Sequence, residues 1–169
     1  MPVVKAKRHV NHGAQRMFDL VADIERYPEF VPLCERHVIR SRESRGPIEI
    51  LVTDMTVGYE IFRASHRSRV TLDRPNGRIL VESAGGLLRR LRTIWTFESG
   101  NENCCDVGFD LSYELDSAAL RVLLGGVLDA AFGRFVRAFE HRADVLYGRP
   151  SLPPKHAATR AATRRRRLT

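Results

Sequence analysis

Cysteine is scarce in this chain. Cys34, Cys104 and Cys105 make an odd count with two of them adjacent, which builds no disulfide framework and lacks the Cys-x-x-Cys spacing of zinc and redox sites. A reducing cytoplasm is the compartment this usage suits. Long apolar runs are missing as well: nothing approaches the roughly 20 residues of a membrane-crossing helix. The opening MPVVKAKRHV has no apolar leader, so neither export nor a membrane span is expected.

Acidic residues are absent from the last fifteen positions, KHAATRAATRRRRLT, which hold six basic ones. Setting these six aside lowers the net charge from +8 to +2 on residues 1–154. The basicity therefore belongs to a tail and not to the body. The tail also lacks aromatic residues, which removes aromatic stacking as a source of RNA specificity, while its charge suits anionic lipid and RNA phosphates alike. The longer stretch past Gly148, RPSLPPKHAATRAATRRRRLT, has the prolines, small residues and uncompensated arginines of a disordered extension.

No catalytic constellation stands out, neither a nucleophile beside a base, nor a sheltered carboxylate pair, nor a metal cluster. Catalytic residues, metal ligands and a catalytic cofactor are all assigned as none. Asp106, Asp110 and Glu114 are regularly spaced but fall on the wet parity of one strand. His9, His12, His37 and His141 fall on polar parities or element ends and carry no expectation of a site.

What the chain does have is two periodicities. Val4, Ala6 and Val10 alternate with Lys5, Lys7 and His9, the mark of a half-buried strand. Met17, Leu20, Val21 and Ile24 then recur at helical spacing, with Asn11 as a cap. Tyr27 precedes Pro28 and should end that helix near Arg26. Pro28 can open a second, very short helix, which Pro32 closes. Phe30 and Val31 would project from this corner toward the core.

From Leu33 to Leu115 the period is two, punctuated by the turn signals SRESRGP, DRPNG, AGG and SGNEN. Cys105, Val107, Phe109, Leu111, Tyr113 and Leu115 face one way. Leu91, Thr93, Trp95 and Phe97 repeat the pattern, as expected of an antiparallel sheet with one wet face. About thirty helical residues follow, capped by Asp116 or Ser117, with Leu120, Leu124, Val127, Ala131, Phe135, Ala138 and Phe139 as an apolar stripe. Gly125 and Gly126 cost this helix about 1 kcal/mol each relative to alanine. Either a close crossing with the sheet or space left for a ligand would explain them. His66 and Ser68 interrupt the apolar row Phe62, Ala64, Val70, Leu72. The pair is either a satisfied polar spot in the core or a polar contact in a cavity.

The segments VADIERYPEFVPLCE, MTVGYEIF, LRRLRTIWTFES and GGVLDAAFGRFVRAFEHRADVLYG resemble the coenzyme-Q-binding START-domain family of the START/Bet v1-like superfamily, which also contains bacterial ribosome association toxins. The resemblance implies an α+β helix-grip fold: a curved antiparallel sheet of about seven strands around a long C-terminal helix, with two short helices after the first strand. Residues 1–148 would be the lipid-binding domain and residues 149–169 the basic tail. It further implies a bound hydrophobic ligand, ubiquinone or a related lipid, in support of respiratory electron transport. The expected cavity residues are Tyr27, Phe30, Val57, Tyr59, Phe62, His66, Trp95, Phe109, Tyr113, Val127, Ala131 and Phe135. Peripheral contact with the inner membrane face would run through Arg164, Arg165, Arg166 and Arg167. A ribosome-binding toxin is the alternative, and a polyketide cyclase or dehydratase a third. Because the tail has no apolar stripe to dock, deleting residues 149–169 should leave the melting temperature of the protein nearly unchanged, and calorimetry checks this.

Overall fold

The alternating segments pair into one antiparallel sheet. The computed structural model describes residues 2–148, and the expectations for residues 149–169 lie outside them. Its strands are β1 (Val3–Val10), β2 (Cys34–Arg45), β3 (Ile48–Tyr59), β4 (Phe62–Asp73), β5 (Arg78–Gly86), β6 (Leu88–Asn101) and β7 (Cys104–Leu115). They lie in the order β1-β7-β6-β5-β4-β3-β2. Six strands thus form a meander, and the first strand returns to pair with the last. The helices are α1 (Ala14–Ala22), a 3₁₀ helix at Ile24–Glu29, and the long α2 (Ala118–Tyr147). This is the α+β helix-grip arrangement: the sheet curves around α2 and buries one face against it.

Parity decides which face that is. All six inward residues of β7, from Cys105 to Leu115, are buried. On β6, Thr93, Trp95 and Phe97 are buried. One hairpin carried no turn signal. The β3–β4 turn places Glu60 at a φ of 52°, a left-handed conformation uncommon outside glycine, asparagine and aspartate, so composition did not mark it.

The corner after β1 differs from expectation in detail. The α1 cap is Gly13, without a side-chain bond. Asn11 does not serve because His12 beside it is buried and bonded through Nε2 to Asp144 Oδ1 of α2 at 2.7 Å, which commits this stretch to α2. The helix ends at Ala22, earlier than Arg26, and Pro28 lies inside the 3₁₀ helix instead of opening it. The Tyr27 carbonyl accepts from both Phe30 and Val31 N–H, at 3.1 and 2.8 Å, which closes the turn after the proline. The Tyr27 phenol in turn donates to the Val21 carbonyl near the end of α1, satisfying a group that a helix terminus leaves open.

Ser117 caps α2, its side chain accepting from Leu120 N–H at 3.2 Å. The buried stripe is Leu124, Leu128, Ala131, Val136, Phe139 and Ala143, turned slightly from the expected one, so that Val127 is only half-buried. Phe139 is the anchor. Its ring meets those of Tyr27, Phe30 and Trp95 with centroids 5.0–5.2 Å apart, all edge-on, a geometry worth about 0.5–1.5 kcal/mol per pair beyond area burial. Polar ties cluster nearby: Arg8 to Glu140 at 2.6 Å, Arg142 to Glu29 at 2.7 Å, and His12 to Asp144. Toward the helix start, the Tyr113 phenol donates to Asp129. No side-chain tie to another element precedes it in α2 among the described residues.

Gly125 and Gly126 fit neither expectation. A Cβ at either position meets nothing within 4 Å, which rules out a close crossing with the sheet. Neither borders the interior space beneath the helix. Gly126→Ala should therefore stabilise the protein by about 0.4–1 kcal/mol by restricting the unfolded chain, measurable as a rise in the denaturant midpoint at constant slope.

Candidate functional site

Between the sheet, the corner and the middle of α2 lies a cavity of about 120 Å³. For scale, an apolar cavity of roughly 150 Å³ stays dry and accepts benzene. The space therefore matches one ring and not a long chain. Val21, Ile24, Tyr27, Pro32 and Leu33 close it from the corner, and Leu128, Ala131, Phe132, Phe135 and Phe139 form its α2 wall. Inward residues of β2 to β7 make the floor, and no charged side chain borders it.

Of the expected cavity residues, Tyr27, Val57, His66, Trp95, Phe109, Ala131 and Phe135 border this space. Five do not. Phe30 packs behind it against Tyr27 and Phe139. Tyr59 ends β3 at the turn and is 40% exposed. Phe62 opens β4 on the other side of that turn, packed at the edge of the core. Tyr113 is buried, but its ring meets Phe132 and its hydroxyl is bound to Asp129. Val127 lies on the half-buried flank of α2.

The polar groups of the floor set the chemistry. His66 is 5% exposed, and its Nδ1 accepts the Leu88 N–H at 3.3 Å. That bond needs the lone pair on Nδ1, so the proton of the neutral ring sits on Nε2. Nε2 is buried and without a partner. Burial holds the imidazole pKa down at about 4, so at neutral pH the ring is an uncharged donor. The turn between β5 and β6 makes the Leu88 contact possible. Gly86 has a φ of 104°, and a Cβ there would sit 2.4 Å from the Ser65 carbonyl oxygen, so only glycine lets the hairpin close over His66.

His37 was expected to be a residue without a site, and the structure corrects this. Register shifts between Cys34 and Arg36 and between Ile39 and Ser41 reset the alternation of β2, so that both Cys34 and His37 turn inward despite opposite parity. His37 borders the cavity, with Nε2 3.1 Å from the Thr53 hydroxyl and Nδ1 buried and unpartnered. Burial lowers its pKa to about 4, although the negative charge of Asp54 opposes the shift. Thr53, Ser68 and Thr93 complete the polar groups. Thr53 was legible in principle, since Leu51, Thr53, Met55 and Val57 alternate as one row. The thiols of Cys34 and Cys105 are pushed up to about 11 by burial, which keeps them protonated and poorly nucleophilic.

Among the described residues no helix is long and apolar enough to cross a membrane. Comparison with known proteins agrees with the architecture. Ribosome association toxin RatA of Pseudomonas aeruginosa is 30% identical over 138 residues, spanning 81% of this chain and 92% of that protein. The mitochondrial coenzyme Q-binding protein COQ10 homolog B of Xenopus laevis is 29% identical over 153 residues, spanning 89% of this chain and 61% of that protein. A START superfamily protein of Mycobacterium smegmatis superposes with a TM-score of 0.69 at 16% identity, over 85% of this chain and 98% of that one, and so supports the fold alone. The polyketide cyclase / dehydrase and lipid transport family matches residues 10–140, most of the length that builds the sheet, the corner and α2, and the chain belongs to that family.

Proposed function

We propose that the protein is a non-catalytic carrier that encloses the ring of a neutral hydrophobic molecule, ubiquinone or a related polyprenyl lipid, between the sheet and α2. One observation carries this reading: His66, which borders a ring-sized apolar cavity, holds a buried, uncharged N–H donor at Nε2 without a partner. An unsatisfied buried donor costs about 1–3 kcal/mol, and a carbonyl oxygen on a bound ring would satisfy it. Fatty acids suit the cavity poorly, since no cation borders it to hold a carboxylate. No carboxylate borders the cavity, and its two histidines are held at about 4 by burial, far from the neutral range in which an acid or base works best, which favours carriage over a cyclase reaction.

A polyprenyl tail exceeds the available volume, so it would leave the cavity along α2. Each methylene it buries there would add about 0.8 kcal/mol. In this reading the protein works in the cytoplasm and meets the inner membrane face peripherally. Arg164 to Arg167 would add about 1 kcal/mol per basic residue near an anionic surface. Handing quinone to the respiratory chain is the role this implies.

The 30% identity to a ribosome association toxin over 92% of its length favours a second reading, in which the chain binds ribosomes and blocks subunit association. Sucrose-gradient profiles of ribosomes with added protein separate the two, because a carrier leaves the ratio of joined to free subunits unchanged.

Two variants test the carrier. Ala131→Trp should fill the cavity and lower lipid retention, measured by native mass spectrometry after extraction, by far more than it lowers stability. Full retention by the folded variant would count against the site. His66→Phe should lose one neutral hydrogen bond, about 0.5–1.5 kcal/mol or roughly tenfold in affinity, for a quinone. It should hardly affect an isoprenoid alcohol of equal length, and equal losses for both ligands would sink the ring contact.

A further inference from the structure

His66 accounts for only one of the two buried nitrogens left without partners in the cavity lining. The other is His37 Nδ1, and the sheet places the two residues in one row. His37 on β2 stands opposite Met55 on β3, which stands opposite His66 on β4. Two strand steps put their backbones about 10 Å apart. Both side chains border the same concave floor, so they belong to the lining of one ring-sized space.

The two imidazoles differ in what they can offer. His66 is fixed as a donor by Leu88 N–H. His37 is not fixed, because its Nε2 faces the Thr53 hydroxyl, which can donate or accept by rotating. With the hydroxyl accepting, Nε2 carries the proton and Nδ1 presents a lone pair. With the hydroxyl donating, Nδ1 carries the proton and presents an N–H.

We propose that His37 is a second polar anchor of this cavity and that its ligand carries oxygen at both ends of one six-membered ring, so that a 1,4-quinone and its hydroquinone are both held. The inference rests on the carrier reading and adds the ligand's second oxygen and its two oxidation states. A quinone oxygen accepts from His37 Nδ1–H. A hydroquinone O–H donates to the Nδ1 lone pair, while its other oxygen still accepts from His66. Both rings are uncharged at neutral pH, and His66 is near enough to contribute to the lowered pKa of His37. No protein charge borders the site to favour one oxidation state over the other.

The test uses the full chain and three probes that share a geranyl chain: a fully substituted 1,4-benzoquinone, which leaves no ring position open to thiols, its hydroquinone under reductant, and a phenol with a single oxygen. Trp95 is the sole tryptophan and borders the cavity, so its quenching reports quinone binding, and calorimetry reports all three. Wild type should bind quinone and hydroquinone within about threefold of each other, and the phenol roughly tenfold more weakly. His37→Phe should weaken the two dioxygenated probes roughly tenfold and leave the phenol unchanged. His37→Gln, which keeps a donor and an acceptor, should restore both to within about threefold. Unchanged quinone affinity in His37→Phe, or an equal loss for the phenol, overturns the second anchor while the carrier reading stands. Failure of wild type to bind any probe overturns both. If His37→Phe does not fold, the side-chain nitrogen NMR shifts of His37 in the wild type decide: Nδ1 should carry the proton with quinone bound and a lone pair with hydroquinone bound, and the same tautomer in both complexes overturns the proposal.

Discussion

One helix cannot cover one face of a seven-stranded sheet. At about 4.8 Å per strand the sheet is roughly 30 Å wide, whereas a helix with its side chains is about 10–12 Å across. Curving the sheet brings its flanks toward α2, and the corner made by Tyr27, Pro28 and Phe30 fills one of the remaining gaps. The fit is tight at one point, where Phe139 meets Tyr27, Phe30 and Trp95. Phe139, Tyr27 and Trp95 of that lock border the cavity, which remains where the α2 wall presents Ala131 between larger residues.

The cavity left by this geometry also carries polar groups. An apolar floor alone would retain hydrophobic molecules without selecting among them. His66 Nε2 and His37 Nδ1, buried and unpartnered, add direction, and their neutrality makes them suited to uncharged oxygen. Backbone contacts impose this: Leu88 N–H determines which nitrogen of His66 holds the proton, and Gly86 allows the hairpin that brings Leu88 there.

α2 is secured unevenly. Its later turns are tied by Glu140, Arg142 and Asp144 to β1, the 3₁₀ helix and the loop after β1, while its first turns carry two glycines with open space around them and only Asp129 as a polar tie nearby. The first turns are therefore the less firmly held end of α2.

Alternation and helical spacing determined the element order, the wet and dry faces, and the helix that must lie on the sheet, because these depend on side-chain periodicity along one segment at a time. The inward rows of β6 and β7, the Ser117 cap and the departure of His66 from an apolar row were all legible on that basis. Tertiary structure alone decided what depends on neighbouring strands. The bulges of β2 turned His37 inward against its parity, an unmarked turn left Tyr59 outside, and the rotation of α2 replaced Val127 with Leu128 at the cavity. The open surroundings of Gly125 and Gly126 were equally out of reach, since a glycine in a sequence does not record what its missing side chain would have met.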